Sequence, residues 1–319
     1  MGKKRALICY GVDVDAVSGW IGSYGGQDSV NDISRGELAM FQAGDKETGV
    51  FAGTVGVERL VKLFGKYDVK STWFVPGHSL ESFPEALEAV RLAGHEFGLH
   101  GYLHENATAL TDQQQRDVLD KSYRLLTEFT GKPPRGYTAP WWEMSHQGAR
   151  LLLEYGIEYD HSMSHHDTQP YWLPIDMSWT QLDTSKAASS WMQPMGHGRP
   201  TGLVEVPANW HLDDLPPLLY IKDMPNSHGF VNVRDVEDTW RDHFDWLWRE
   251  SDDFVLALTI HPDVSGRPHV LLMHERLIEY FASHEGVEFV TMGTAVDEFK
   301  KKNRPPEGAL MPAAPRGQE

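Results

Sequence analysis

Gly11-Val12-Asp13-Val14-Asp15, closing an apolar run that begins at Ala6, decides how this chain is to be read. Residues 6–12 are apolar and predict a buried strand, and the run stops in two acids. Two apart on a strand, Asp13 and Asp15 leave the same face, while Val12 and Val14 point the other way. Carboxylates sharing one small space repel unless a cation lies between them or one is protonated. The spacing fits either a site at the C-terminal end of the strand or a surface turn following it.

Outward from that strand the pattern alternates. A Gly-rich loop through Gly19 to Gly53 is followed by a helical period over residues 55–67. Strands are expected at 70–75, 96–100, 136–139, 157–161, 203–210, 254–261 and 287–292. Helices are expected at 84–93, 112–129 behind a Thr111 cap, 147–155, 233–249 and 269–283, with an irregular stretch from 164 to 201. Seven or eight βα units predict a parallel sheet, closed as a barrel or open and doubly wound. Asp13, Asp15, His100 and His261 fall at the C-terminal ends of different strands, where a barrel collects its catalytic groups. A dinucleotide fingerprint after the first strand is absent. The expectation is an α/β fold, a single distorted (β/α)7-8 barrel over residues 1–303, with a disordered Pro-, Gly- and Ala-rich tail over 304–319.

Composition narrows the function. Hydrophobic residues at 40% and charged residues at 24% suit a soluble globular core. A net charge of -17 repels a phosphate backbone, so nucleic acid is not an expected partner. The single cysteine, Cys9, cannot close an internal disulfide and reads as a small core residue of a cytoplasmic protein. The basic start at residues 3–5 leads into an apolar run too short for an export signal, and no stretch reaches membrane-spanning length.

His100 and His104 stand four apart, so one helical turn brings both imidazoles to one side. With one carboxylate they form a set that binds Zn, Fe, Co or Mn and leaves positions open for water and substrate; two capping or core histidines are the plainer alternative. His261 ends its strand before Pro262 at the same rim, as a packed neutral residue or a general acid. No Gly-x-Ser-x-Gly elbow, second cysteine or phosphate loop is present, which leaves metal-activated water.

These residues resemble, in order, the motif set of the polysaccharide deacetylase, or NodB-homology, superfamily over residues 7–299. Asp13-Val14-Asp15 is similar to the first motif and His100 to His104 to the second. Gly136-Tyr137-Thr138-Ala139-Pro140-Trp141 matches the third, Asp160-His161-Ser162 the fourth, and Leu258-Thr259-Ile260-His261-Pro262 the fifth. The resemblance implies one divalent metal, zinc foremost and Mn, Co or Fe otherwise, on Asp15, His100 and His104. It further implies Asp13 as base, His261 as acid and Asp160 as the residue that orients His261. By the same analogy the Trp141 N–H is an oxyanion donor, and Tyr137, Trp141, Trp142, Glu143 and Trp210 touch substrate. One position departs from the pattern: Thr138 stands where the third motif usually carries an Arg for the catalytic Asp, with Arg135 three residues earlier, so Asp13 should be tuned differently.

Residues 11–26, with Trp20 and Tyr24-Gly25-Gly26, and Ala139-Pro140-Trp141-Trp142-Glu143 resemble a narrower intracellular branch with allantoinase-like, peptidoglycan-deacetylase-like and cyclic imide hydrolase members, often tetrameric. The expected function is therefore metal-dependent hydrolysis of a non-peptide C–N bond, foremost ring opening of a small cyclic imide or ureide. The alternatives are an N-acetyl-sugar or peptidoglycan deacetylase and a barrel that keeps the fold without activity. The expected assembly is a cytoplasmic homotetramer acting on a small molecule, with no membrane partner.

Overall fold

The computed structural model describes residues 4–25, 51–221, 227 and 229–316. Its described strands are β1 Arg5–Asp13, β2 Thr72–Val75, β3 Glu96–Leu99, β4 Gly136–Tyr137, β5 Tyr159–Asp160, β6 Tyr171–Trp172, β7 Val204–Glu205, β8 Asp253–Ile260 and β9 Val287–Phe289. β1 is buried from Ala6 to Asp13; a strand covered on both faces belongs inside a parallel sheet, with partners on both edges. One edge pairs with β8 from Arg5↔Asp253 to Val12↔Ile260. The other is shared, with β9 beside Ala6 to Ile8 and β2 beside Gly11 to Asp13.

The sheet runs β6-β7-β5-β4-β3-β2-β1-β8, parallel throughout except for the antiparallel β6–β7 pair. It curls into a half-barrel of the expected kind. Helices cover it through apolar stripes. In helix Asp112–Thr130, Thr111 and Gln114 form a reciprocal capping box, Leu119, Tyr123 and Leu126 face inward, and Gly131 at φ 74° ends the helix. In helix Val233–Glu250, capped by Asn232, the stripe is Val236, Trp240, Phe244 and Leu247. Each such apolar side chain contributes roughly 1.5–3 kcal/mol of burial. No helix among the described residues is long and apolar enough to cross a membrane.

Several local expectations give way. Asp15 is not on the strand: β1 ends at Asp13, and Asp15 has helical angles at the start of helix Ala16–Gly22. Residues 101–104 form a tight turn rather than a helix, with φ 66° at Gly101 and φ 55° at His104. The last strand stops at Phe289, because Thr291 caps helix Met292–Lys302, whose final turn carries Lys300 to Lys302 against the carbonyl end of its dipole. Gly26 and most of the Gly-rich loop lie outside the described residues.

The tail expected to be disordered lies along the surface over 305–316, held at several points. Leu310 bridges to Thr201, the Ala313 N–H donates to Leu153 O at 2.8 Å, and Arg316 pairs with Asp120 while covering the Tyr155 ring. Main-chain hydrogen bonds hold it, and these do not depend on an apolar sequence.

Candidate active site

The C-terminal ends of β1, β3 and β8 bring Asp13, His100 and His261 to one rim. Asp15 arrives through helix Ala16–Gly22, and His104 through the 101–104 turn. That turn is tied by Glu105, whose carboxylate accepts from the Tyr102 and Leu103 N–H groups at 3.0 and 2.6 Å. Two glycines allow the close approach. A Cβ on Gly22 would lie 1.7 Å from the Leu103 carbonyl oxygen, and one on Gly19 would lie 2.6 Å from the Tyr24 ring, whose hydroxyl donates to Asp15.

The two imidazoles meet one carboxylate. His100 Nε2 lies 3.1 Å from Asp15 Oδ1 and His104 Nε2 lies 3.3 Å from Asp15 Oδ2. His100 Nδ1 is 2.9 Å from the Thr138 carbonyl, which can only accept, so Nδ1 carries the proton. The Ser23 hydroxyl donates to Gly19 O, so His104 Nδ1 donates to Ser23. Both Nε2 atoms then turn lone pairs toward an anionic carboxylate, an arrangement that calls for further protons or a cation between them. Burial opposes charge on His104 and holds it neutral, at about 3. Burial also opposes the charge on Asp15; positive charge at His104 and His100 pulls it well below the usual carboxylate range, a role that passes to a cation when both imidazoles are neutral. The donor set therefore fits a divalent ion: one carboxylate and two neutral-capable imidazoles, all buried, with their ligand atoms within 4.8 Å of one another.

Asp13 stands beside this set, 3% exposed, with Oδ2 at 3.8 Å from His100 Nε2 and 4.0 Å from His261 Nε2. Burial raises it to about 6 against the pull of His100 and His261. Arg135 is engaged with Glu158 and Asp297, and Thr138 donates to His161 O at 2.6 Å, so neither takes the place of the motif Arg.

His261 turns Nε2 toward Asp15 Oδ2, at 3.7 Å, and its Nδ1 toward Asp214 Oδ1, at 2.7 Å. Burial alone would lower it; the hydrogen bond to Asp214 and the charge of Asp213 overcome this and raise it well above the ordinary imidazole value. The partner of His261 is thus Asp214, not Asp160. Sequence reasoning passed over Asp213-Asp214, although two adjacent acids between Leu212 and Leu215-Pro216-Pro217 carry the same sign as Asp13 and Asp15: acids embedded in apolar sequence.

Asp160 lies instead in a second network. It accepts from the Ser162 hydroxyl at 2.8 Å, and Ser162 Oγ accepts the Ala139 N–H at 2.8 Å. Across the Asp160↔Glu205 register pair, Glu205 accepts from the Ser162 and Met163 N–H groups. The network anchors the Ala139–Trp142 turn, in which Trp141 and Trp142 adopt φ 57° and 52°, a strained region for bulky residues. Burial raises Asp160 to about 6 and Glu205 well above the ordinary range, consistent with one proton held by the pair. A carboxyl raised on folding contributes its full stability below its unfolded pKa and loses it as pH rises through the folded one. Glu205→Gln, which keeps the shape and a permanent N–H, should therefore gain on the wild type by about 2 °C or more in Tm between about pH 4 and about pH 8. A pH-independent difference in thermal melts contradicts the shared proton.

Trp141, Trp142 and Trp210 wall a narrow cleft over Asp13, Asp15, His100, His104 and His261. Trp142 and Trp210 meet at 4.5 Å between ring centroids. Two residues expected at substrate are elsewhere: Tyr137 is buried under a neighbouring depression, and Glu143 is exposed and lines no part of this cavity.

Comparison with known proteins places the chain in a family. The polysaccharide deacetylase family model matches residues 40–160. The peptidoglycan deacetylase of Helicobacter pylori is 52% identical over 300 residues, covering 94% of this chain and 98% of that protein. Peptidoglycan deacetylase-like protein FGM2 of Gibberella zeae is 42% identical over 306 residues, covering 93% and 87%. A solved Mycobacterium smegmatis structure assigned to the polysaccharide deacetylases superposes with a TM-score of 0.77 at 25% identity, covering 100% and 96%. Puue allantoinase shares the fold, with a TM-score of 0.69 at 23% identity over 95% and 92%. Fold, site and relatives define a hydrolase of non-peptide amide bonds. The chain belongs to the polysaccharide deacetylase family.

Proposed function

We propose that this hydrolase removes the acyl group from an N-acetylated amino sugar, cleaving an exocyclic amide to a carboxylic acid and an amine. The observation that carries the reading is the placement of Asp13 and His261, 4.0 Å apart and both beside the Asp15–His100–His104 set. The identity to the Helicobacter pylori peptidoglycan deacetylase supports the sugar as substrate class. Asp15, His100 and His104 would hold one divalent ion, zinc foremost. When bound, it supplies Lewis acidity toward the amide carbonyl and toward water. Asp13, raised by burial to about 6, takes a proton from the attacking water. His261, held protonated by Asp214, gives a proton to the departing nitrogen. The Trp141 N–H is the proposed donor to the developing oxyanion. We place the chain in the cytoplasm as a homotetramer, following the branch it resembles.

A second reading keeps the same chemistry on a cyclic imide or ureide. The confined site favours it: three tryptophans crowd the space over the donor set, which suits a single ring better than a polymer. Assays of N-acetylglucosamine oligomers, hydantoin, dihydrouracil and succinimide side by side separate the two. Acetate release from the oligomers without ring opening is expected. Ring opening without acetate release overturns the sugar reading in favour of the second.

A further inference from the structure

We propose that Ser265 and His274 are positioning residues for His261, the outer links of a buried hydrogen-bond relay His274–Ser265–Asp214–His261 with a single allowed order of protons. The proposal rests on the reading of His261 as proton donor. Asp214 is the hub. Its Oδ1 accepts from His261 Nδ1 at 2.7 Å, and its Oδ2 accepts from the His261 backbone N–H at 3.0 Å and from the Ser265 hydroxyl. A carboxylate in that position only accepts, so the one hydrogen of Ser265 goes to Asp214. Ser265 Oγ must then accept from His274 Nε2, 2.7 Å away. His274 is therefore the Nε2–H tautomer, with a bare Nδ1.

Independent features agree with that assignment. His274 Nδ1 is buried without a hydrogen-bond partner, as a bare lone pair in an apolar wall would be. Burial holds the ring neutral, at about 4. The ring is fixed between Tyr10 and Trp240, with centroids 5.7 and 5.9 Å away. Asp214, Ser265 and His274 are each fully buried. Buried polar groups cost desolvation that an apolar residue between Tyr10 and Trp240 would avoid, so a purely packing role does not account for a histidine here.

The consequence lies at the rim. Asp214 fixes the Nδ1–H of His261 and so leaves Nε2 facing the cavity. Donors on both of its oxygens keep the carboxylate from turning away, and Ser265 supplies one of the two on Oδ2. His274 in turn keeps the Ser265 hydroxyl from reversing.

The test uses the full-length protein and three variants. Ser265→Ala and His274→Phe should each lower kcat by about tenfold, the scale of one buried hydrogen bond, with KM changed by less than about twofold. His274→Gln, whose amide N–H can replace Nε2–H, should retain kcat to within about threefold. Equal kcat in His274→Phe and His274→Gln, or a loss confined to KM, overturns the relay. A second measurement needs no substrate: the imidazole ¹⁵N spectrum of wild-type protein should show His274 protonated at Nε2 alone. Protonation at Nδ1 overturns the assignment. If the wild type neither releases acetate nor opens rings, the reading of the reaction fails, and the ¹⁵N spectrum by itself decides the relay.

Discussion

Asp13→Asn is expected to retain bound metal and to lower turnover by about 10³-fold, within the range that general-base catalysis contributes. Asn copies the size of the buried carboxyl, and Asp13 lies outside the Asp15–His100–His104 donor group. The substitution removes only the capacity to take a proton. Asp13 is well placed for that capacity: Oδ1 has no hydrogen-bond partner, and Oδ2 faces His100 and His261. Elemental analysis and kcat on the same preparation check both halves. Turnover within tenfold of wild type, or loss of the metal, contradicts the assigned role.

His100→Ala is expected to lose both metal and activity, with metal content falling below about a tenth of an equivalent. His100 is the ligand whose tautomer is best determined, because the Thr138 carbonyl fixes Nδ1–H and thereby leaves Nε2 bare toward Asp15. Without it, Asp15 retains one imidazole, His104, and a three-donor site becomes a two-donor one. A full equivalent of zinc in the purified variant would falsify the ligand set. The pair of variants separates holding the ion from moving the proton, since one should lose what the other keeps.

Asp13, His100 and His261 were legible in the sequence because strand ends are local features. An apolar run that stops in an acid or a histidine says where the strand stops, and stacked parallel strands bring such ends together. The route to each position was less legible. Asp15 and His104 reach the centre through a helix start and a left-handed turn, since Ala16 at φ 46° and His104 at φ 55° break the simple periods. The partner of His261 was missed for a different reason. Asp214 lies 47 positions away in the chain, and which loop crosses over which strand end is set by tertiary packing. Analogy pointed to Asp160, whose place beside Glu205 is fixed by strand register and not by its motif. The tail misled through composition: Pro, Gly and Ala suggest disorder, yet the main-chain bonds of Leu310 and Ala313 are indifferent to those side chains.

The pairing of β1 carries a consequence for how the molecule is made. β1 is synthesised well before the partner that matches it over Arg5 to Val12, residues 253–260. Until residues 253–260 have been synthesised, a strand apolar from Ala6 to Val12 waits with its β8 edge unpaired and its other edge paired only over Gly11 to Asp13. Such non-local closure slows folding and exposes the nascent chain to aggregation. Products ending before residue 253 should therefore accumulate as insoluble material, and yield should respond to chaperone supply during translation.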